Sequence, residues 1–361
     1  MLEKRLSAIE QEAQFLCSII FDDQNAAADT WCRVQAILLL LRYSTATKLV
    51  YFGQTIDPAV LEPFARRFDD IILKTFLKVL EIEENISEDQ KLQIYLALRE
   101  GGCGVRMHDR KELQRLYVSA ALLVAPAVLA ATGEAIGGAD LDFAEGETYD
   151  SQLSSSIRDI VAYGGSRPDF NAGGSVSAKV WASSISCKFQ KHLLARIDHL
   201  HNLLPIADRK RAQARIKSCS GVGAQWVAAL PTSPKTMLQD DEVRINMRFR
   251  IGLATNSLEF CPHVSSEGVQ CDSECDAFGY HLEQCPSGGG YFVGHDTVCA
   301  EVADLVGGSE GIPGVVVDWK AQVEAWPRAT RGYEADVGLF HMPGERDVYL
   351  DGVLSLANPR T

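Results

Sequence analysis

Apolar positions recur along most of this chain at the three-to-four-residue spacing of helices, giving way only near its end to short β-type runs. Over residues 57–81, Leu61, Phe64, Phe68, Ile71, Leu73, Phe76 and Leu77 mark one helix face, with Asp57 placed to cap it and Pro58 at its first turn. Upstream, residues 1–60 read as two helices. The second contains Ala36-Ile37-Leu38-Leu39-Leu40-Leu41, apolar all round and therefore expected to be buried on every side. Residues 86–100 predict a further helix, with Ser87 ahead of acidic residues in its first turn. It should end at Gly101-Gly102-Cys103-Gly104-Val105-Arg106. That glycine run lacks the Lys-Ser/Thr ending of a phosphate-binding loop and follows no strand pattern, so a helix-terminating turn is expected.

The longest apolar stretch, residues 117–131, has Pro126 inside it and predicts a buried helix pair in place of a membrane span. From 133 to 177 the composition shifts to Gly, Ser, Asp and Glu, with paired glycines at 137–138, 164–165 and 173–174, the pattern of a linker or loop. Helical patterning returns over 179–204. The basic run DRKRAQARIK at 208–217 reads as a solvated helix face. Beyond Gly288, strand-like runs at 314–317 and 348–350 are punctuated by Gly and Pro. No fixed-period repeat is present.

Charge narrows the functional classes. The formal net charge of −13 opposes any role in which the whole surface wraps nucleic acid, leaving only local contacts. The N-terminus is amphipathic and charged, without the apolar core of a signal peptide, so a soluble, intracellular protein is expected, with the nucleus as one such setting and no membrane partner.

Of ten cysteines, Cys17, Cys32, Cys103, Cys187 and Cys219 are scattered among helical patterns as ordinary reduced residues. Cys261, Cys271, Cys275, Cys285 and Cys299 crowd one segment, which suggests metal. Within it, Cys271-x3-Cys275-x5-His281-x3-Cys285 gathers three thiols and an imidazole, the donor set of a structural zinc. Gly279 would let the backbone fold back between the pairs, and Cys261 or His263 could stand in for Cys271.

Several blocks, in order, resemble the region downstream of the catalytic palm in non-LTR retrotransposon reverse transcriptases. They are Ala36–Tyr43, the helix containing Phe68-Asp69-Asp70, Gly101–Arg106, Tyr117-Val118-Ser119-Ala120-Ala121, Ser220–Pro231 with its Trp226, and Arg248–Leu253. The Cys/His knuckle follows, then Gly288-Gly289-Gly290, Gly294-His295-Asp296, Ala335-Asp336-Val337 and Leu350-Asp351-Gly352-Val353, which resemble the family's restriction-like endonuclease. The resemblance implies thumb-side helices, a bracing knuckle, and DNA or RNA as partner. No Tyr-x-Asp-Asp polymerase motif is present, so copying of nucleic acid is not expected.

A nuclease of that type holds Mg²⁺ with carboxylates on adjacent strands and orients water with a lysine. Asp336 and Asp351 fit the two carboxylates, joined by a hairpin turn at 341–346, and His295 lies in the block that opens the nuclease helix. Val353 occupies the place of the lysine, and the last residue, Thr361, follows soon after, so little or no cleavage is expected and Mg²⁺ matters only if the site works. The expected architecture is mainly α. A helical thumb-like region (1–135), a linker (136–178) and a helical linker region (179–260) precede a zinc knuckle (261–290) and a truncated, partly α/β restriction-like endonuclease region (291–361). The function expected is that of a catalytically inactive retroelement-derived fragment with residual nucleic-acid binding. The alternative is a helical scaffold repurposed for protein–protein interaction.

Overall fold

A computed structural model describes residues 2–21, 33–83, 85–133, 149–170, 174–232, 237–255, 258–265, 267–279, 281–282, 285 and 287, together with the backbone of five short strands between 316 and 350. The protein is mainly helical and divides into two compact units, Met1–Leu253 and Ala254–Thr361.

Eleven α-helices lie among the described residues of the first unit: α1 (Leu2–Phe21), α2 (Arg33–Tyr43), α3 (Val50–Thr55), α4 (Pro58–Val79), α5 (Glu88–Tyr95), α6 (Arg110–Thr132), α7 (Tyr149–Ala162), α8 (Ser175–His201), α9 (Ile206–Ser218), α10 (Gln225–Ala228) and α11 (Asp240–Ile251). The main core is built on α4, whose Leu61, Phe68, Ile72 and Phe76 are buried in one cluster with Leu41 of α2, Ile94 of α5 and Met247 and Ile251 of α11. Each such side chain contributes about 1.5–3 kcal/mol of burial. Asp57 caps α4 as expected, its carboxylate accepting from the Ala59 amide at 2.9 Å, with Pro58 next to it. The apolar run of α2 is not buried on every side. Leu40 is 49% exposed, while Ile37, Leu38 and Leu41 face the core.

A single helix, α6, spans the apolar stretch expected to form a helix pair, and it continues through Pro126. A proline removes the amide that would bond the carbonyl four residues earlier. Here that carbonyl, on Leu122, accepts instead from the Gly174 amide at the start of α8 (3.0 Å), so the helix runs on without an orphaned acceptor. By length and composition α6 is the one helix among the described residues able to cross a bilayer; it packs against α3, α4, α7 and α8. Inside the stretch read as a linker, residues 149–162 form α7. Its Leu153, Ile157 and Ile160 recur at helical spacing and are buried against Val118 and Leu122 of α6 and Trp181 and Ile185 of α8. The surrounding Gly and Ser residues obscured this short amphipathic pattern.

Helix α5 starts with a capping box between Ser87 and Gln90 and stops at Tyr95. The following glycine turn is a structural hub, not a phosphate cradle. Its amides bond inward, Cys103 to the Gln93 carbonyl (3.1 Å) and Gly104 to that of Leu96 (2.9 Å), so they are not available to a ligand. Gly101 adopts φ +90°, and a Cβ on Gly102 would run into the Leu96 carbonyl oxygen; the two glycines are needed for different reasons. The turn's carbonyls are met by buried guanidinium groups. Arg250 donates from Nε to Gly102 (2.8 Å) and from Nη2 to Leu98 (3.2 Å), and Arg42 donates from Nε to Cys103 (3.0 Å). The basic run on α9 is largely solvated, as expected, but Arg215 turns inward, where its Nη1 donates to Gln93 Oε1 (2.8 Å).

Asp89, in the first turn of α5, receives the buried His201 imidazole of α8 at 3.2 Å and the Ser87 hydroxyl at 2.5 Å. The hydrogen bond from His201 lowers its pKa from 3.8 to about 2, against the opposing effect of burial. A depressed carboxylate stabilises the fold above its unfolded pKa and loses that contribution as pH falls through its folded one. The stability advantage of the wild type over Asp89→Asn is therefore expected in full at pH 5 and should disappear towards pH 2. Urea midpoints measured across that range test this; an advantage independent of pH would show that the carboxylate is not the source.

In the second unit the strands β1 (Val316–Trp319), β4 (Val337–Phe340) and β5 (Val348–Leu350) form an antiparallel sheet in the order β1-β4-β5. β2 (Gln322–Val323) pairs antiparallel with β3 (Tyr333–Glu334).

Candidate metal centre

The Cys/His segment folds as an antiparallel ribbon followed by a tight turn. Bridges pair Phe260 with Glu274 and Val264 with Gln270. The rungs are Cys275 N–H to the Glu259 carbonyl (2.9 Å), Cys261 N–H to that of Ser273 (3.0 Å) and Cys271 N–H to that of His263 (2.9 Å). Ser265 closes the ribbon's tip, its hydroxyl accepting from the Val269 amide (3.1 Å), and Gly268 supplies the left-handed position at φ +80°. After the ribbon, Asp276 organises the return. Its carboxylate accepts from the amides of Phe278 (2.9 Å) and His281 (3.0 Å), and Gly279 turns at φ +74°. This delivers His281 and then Cys285 back onto the ribbon.

Four ligand atoms converge there, those of Cys261, Cys271, His281 and Cys285, all within 4.8 Å of one another. Cys261 and Cys285 are buried; Cys271 and His281 are half-buried, and Cys271 Sγ lies 3.4 Å from His281 Nε2. With zinc bonds of about 2.3 Å to sulfur and about 2.0 Å to nitrogen, a tetrahedral site puts neighbouring S and N donors roughly 3.5 Å apart. The set can therefore hold a metal ion, and three thiols with one imidazole suit zinc.

The electrostatics favour a thiolate at one corner. Hydrogen bonds from the Ser273 hydroxyl and amide, ahead of smaller effects from His281 and Cys285, lower the Cys271 thiol to about 6. Burial is the main cause raising Cys261 to about 11, opposed by the His263 amide and reinforced by the neighbouring Cys285 and Cys271 sulfurs. One thiolate among crowded thiols is what such a cluster sustains alone. A bound cation supplies the charge that deprotonates the others.

Of the expected ligands, Cys271, His281 and Cys285 come together, and Cys275 is not in the group; Cys261 is. The ribbon explains this. Cys271 and Cys275 lie on the same extended strand, four residues or about 13 Å apart along the chain, too far for one ion. Cys261 instead faces Ser273, which makes it a diagonal neighbour of Cys271 across the ribbon, at the roughly 7–8 Å typical of such pairs. The substitution foreseen for Cys261 thus occurs at Cys275 and not at Cys271. His263 is outside the set, and its Nδ1 is buried without a hydrogen-bond partner. The signal that could have found Cys261 is the turn-forming Ser-x-x-Gly between two extended segments, which predicts a hairpin where ligand spacing alone predicted two grips.

His295, Asp336 and Asp351 lie outside the described residues, as does the turn expected at 341–346. The strands on either side of that turn, β4 and β5, pair antiparallel with Val337 opposite Leu350. No protein-family model, curated protein or solved structure matches this chain.

Proposed function

We propose that this chain is a retroelement-derived protein, related to the portion of non-LTR reverse transcriptases that follows the polymerase palm. It works without catalysis, as a zinc-braced helical body that contacts nucleic acid. The observation that carries this reading is the convergence of Cys261, Cys271, His281 and Cys285 just ahead of an antiparallel strand pair in the second unit. A knuckle followed by a small sheet is the order of parts implied by the family resemblance. The zinc is structural, because four protein ligands leave no open position for a substrate or water. The sheet would be the remnant of a restriction-like nuclease in which Asp336 and Asp351 held Mg²⁺, with Val353 in place of the water-orienting lysine.

Protein purified without chelator should contain one zinc per chain and should fail to nick plasmid DNA in Mg²⁺ or Mn²⁺. A metal content well below that removes the brace. Nicking that Asp336→Ala abolishes would make the protein an enzyme and overturn the non-catalytic reading.

A protein-binding scaffold is the second reading, favoured by exposed apolar side chains on α6 and α8, namely Leu123, Val124, Leu129, Val176 and Val180. Binding to nucleic acid that weakens steeply with salt separates the two, since only phosphate contacts release counterions.

A further inference from the structure

The helical unit contains a cleft of about 640 Å³ between the glycine turn and the flanks of α6 and α8. Its charged lining is four arginines, Arg42, Arg99, Arg106 and Arg115, against a single glutamate, Glu112. In a chain of formal charge −13 this is a local reversal of sign. Glu112 is already committed, gripping Arg115 through both oxygens at 2.7 and 2.5 Å. It reaches Arg106 only at 4.0 Å.

Arg42 carries the argument furthest. It is 6% exposed, and its guanidinium donates to two carbonyls, those of Cys103 (3.0 Å) and Val227 (2.9 Å), instead of to a carboxylate. A buried cation held by two carbonyls and by Tyr43, with no carboxylate against it, is costly, and an anion in the adjoining cleft would offset that cost. Burial also lowers the Arg42 pKa, as expected for a cation short of countercharge. Arg99 and Arg106 stand at the mouth, with side chains 63% and 41% exposed; Arg99 pairs with its neighbour Glu100 at 3.3 Å, and Arg106 reaches a carboxylate only at 4.0 Å. Beside them is Tyr43, 57% exposed, whose ring lies 5.6 Å from the Arg42 guanidinium carbon.

We infer that this cleft binds single-stranded nucleic acid, with Arg99 and Arg106 on the phosphates, Arg42 completing the positive field at its base, and Tyr43 stacking on an unpaired base. The inference rests on the nucleic-acid contact proposed above and gives it a location. A single strand suits the site better than a duplex for two reasons. A basic cleft can follow one backbone while the rest of an acidic surface stays clear, whereas a duplex presents its charge across a broad face. An exposed aromatic ring needs a base freed from pairing to stack against it.

The test is fluorescence anisotropy of the full-length chain with a short labelled oligothymidylate, and with a duplex of equal length, over a series of salt concentrations. The double variant Arg99→Glu/Arg106→Glu should weaken single-strand binding by at least about tenfold at low salt and reduce the salt slope by about 1–2. Tyr43→Ala should weaken it about tenfold and leave the slope unchanged. Arg66→Glu, on the exposed side of α4 outside the cleft, should do neither, and melting temperature and zinc content confirm that each variant is folded.

Wild-type binding that is indifferent to the double variant, or equally reduced by Arg66→Glu, would overturn the cleft while leaving the nucleic-acid reading standing. Preference for the duplex would overturn the single-strand assignment. Absence of binding by the wild type at every salt concentration would overturn both.

Discussion

Arg250→Ala is expected to destabilise the helical unit by about 3–5 kcal/mol, among the largest effects available to a single substitution there. Arg250 is one of the largest fully buried side chains, at 1% exposure, and it ties the end of α11 to the glycine turn after α5. Truncation removes a long packed stem and leaves a cavity. It also takes the Nε donor from the Gly102 carbonyl, which the turn's own amides do not serve, whereas the Leu98 carbonyl keeps its bond from Gly101. One orphaned buried acceptor costs about 1–3 kcal/mol, and the lost packing adds a comparable amount. An opposing effect must be weighed, since removing a buried cation relieves desolvation. Arg250→Met separates the contributions. It keeps the stem, removes the charge and leaves Gly102 unsatisfied, so about half the loss should remain. Urea unfolding followed by helical circular dichroism measures both variants. An alanine variant as stable as the wild type would mean that the turn finds its partners elsewhere.

This hub shows what the sequence could and could not convey. The segment 101–106 was legible as a turn because glycine is needed where a helix stops, and the starts of α4 and α5 were legible because Asp57-Pro58, and Ser87 ahead of acidic residues, act within one turn of chain. The partners of the turn were not. Arg42 and Arg250 come from helices far apart in the chain, and in sequence each is an ordinary basic residue. Pro126 shows the same limit from the other side. The local rule that a proline ends a helix was overridden by one tertiary hydrogen bond, from Gly174 to Leu122. In the second unit the donor chemistry was evident from composition, but the choice between Cys261 and Cys275 depended on whether residues 271–275 form a turn or an extended strand. Ligand spacing does not distinguish those two cases.

That choice yields the sharpest test of the metal centre. Cys261→Ser should lower zinc affinity by more than about 100-fold, because it removes a direct ligand where loss of an outer hydrogen bond alone costs about 10–100-fold. Cys275→Ser should leave the zinc content unchanged. The structural consequence follows from what the ribbon lacks. Among its described residues the buried apolar side chains are those of Cys261 and Cys285, while Phe260, Val264 and Val269 are each more than half exposed. Two-stranded ribbons without an apolar face do not hold in water. In the proposed zinc centre the ion supplies the stabilisation, which in small zinc modules is on the order of 10–16 kcal/mol. Chelation, or Cys261→Ser, should therefore abolish hydrogen-exchange protection at the amides of Cys261, Cys271 and Cys275, which form the rungs, while α4 and α11 in the other unit keep theirs. In cobalt-substituted protein, Cys275→Ser should retain the sulfur-to-metal charge-transfer band at full intensity. If that variant loses the band and Cys261→Ser keeps it, Cys275 and not Cys261 is the fourth ligand, and the ion is gripped by the Cys271–Cys275 pair.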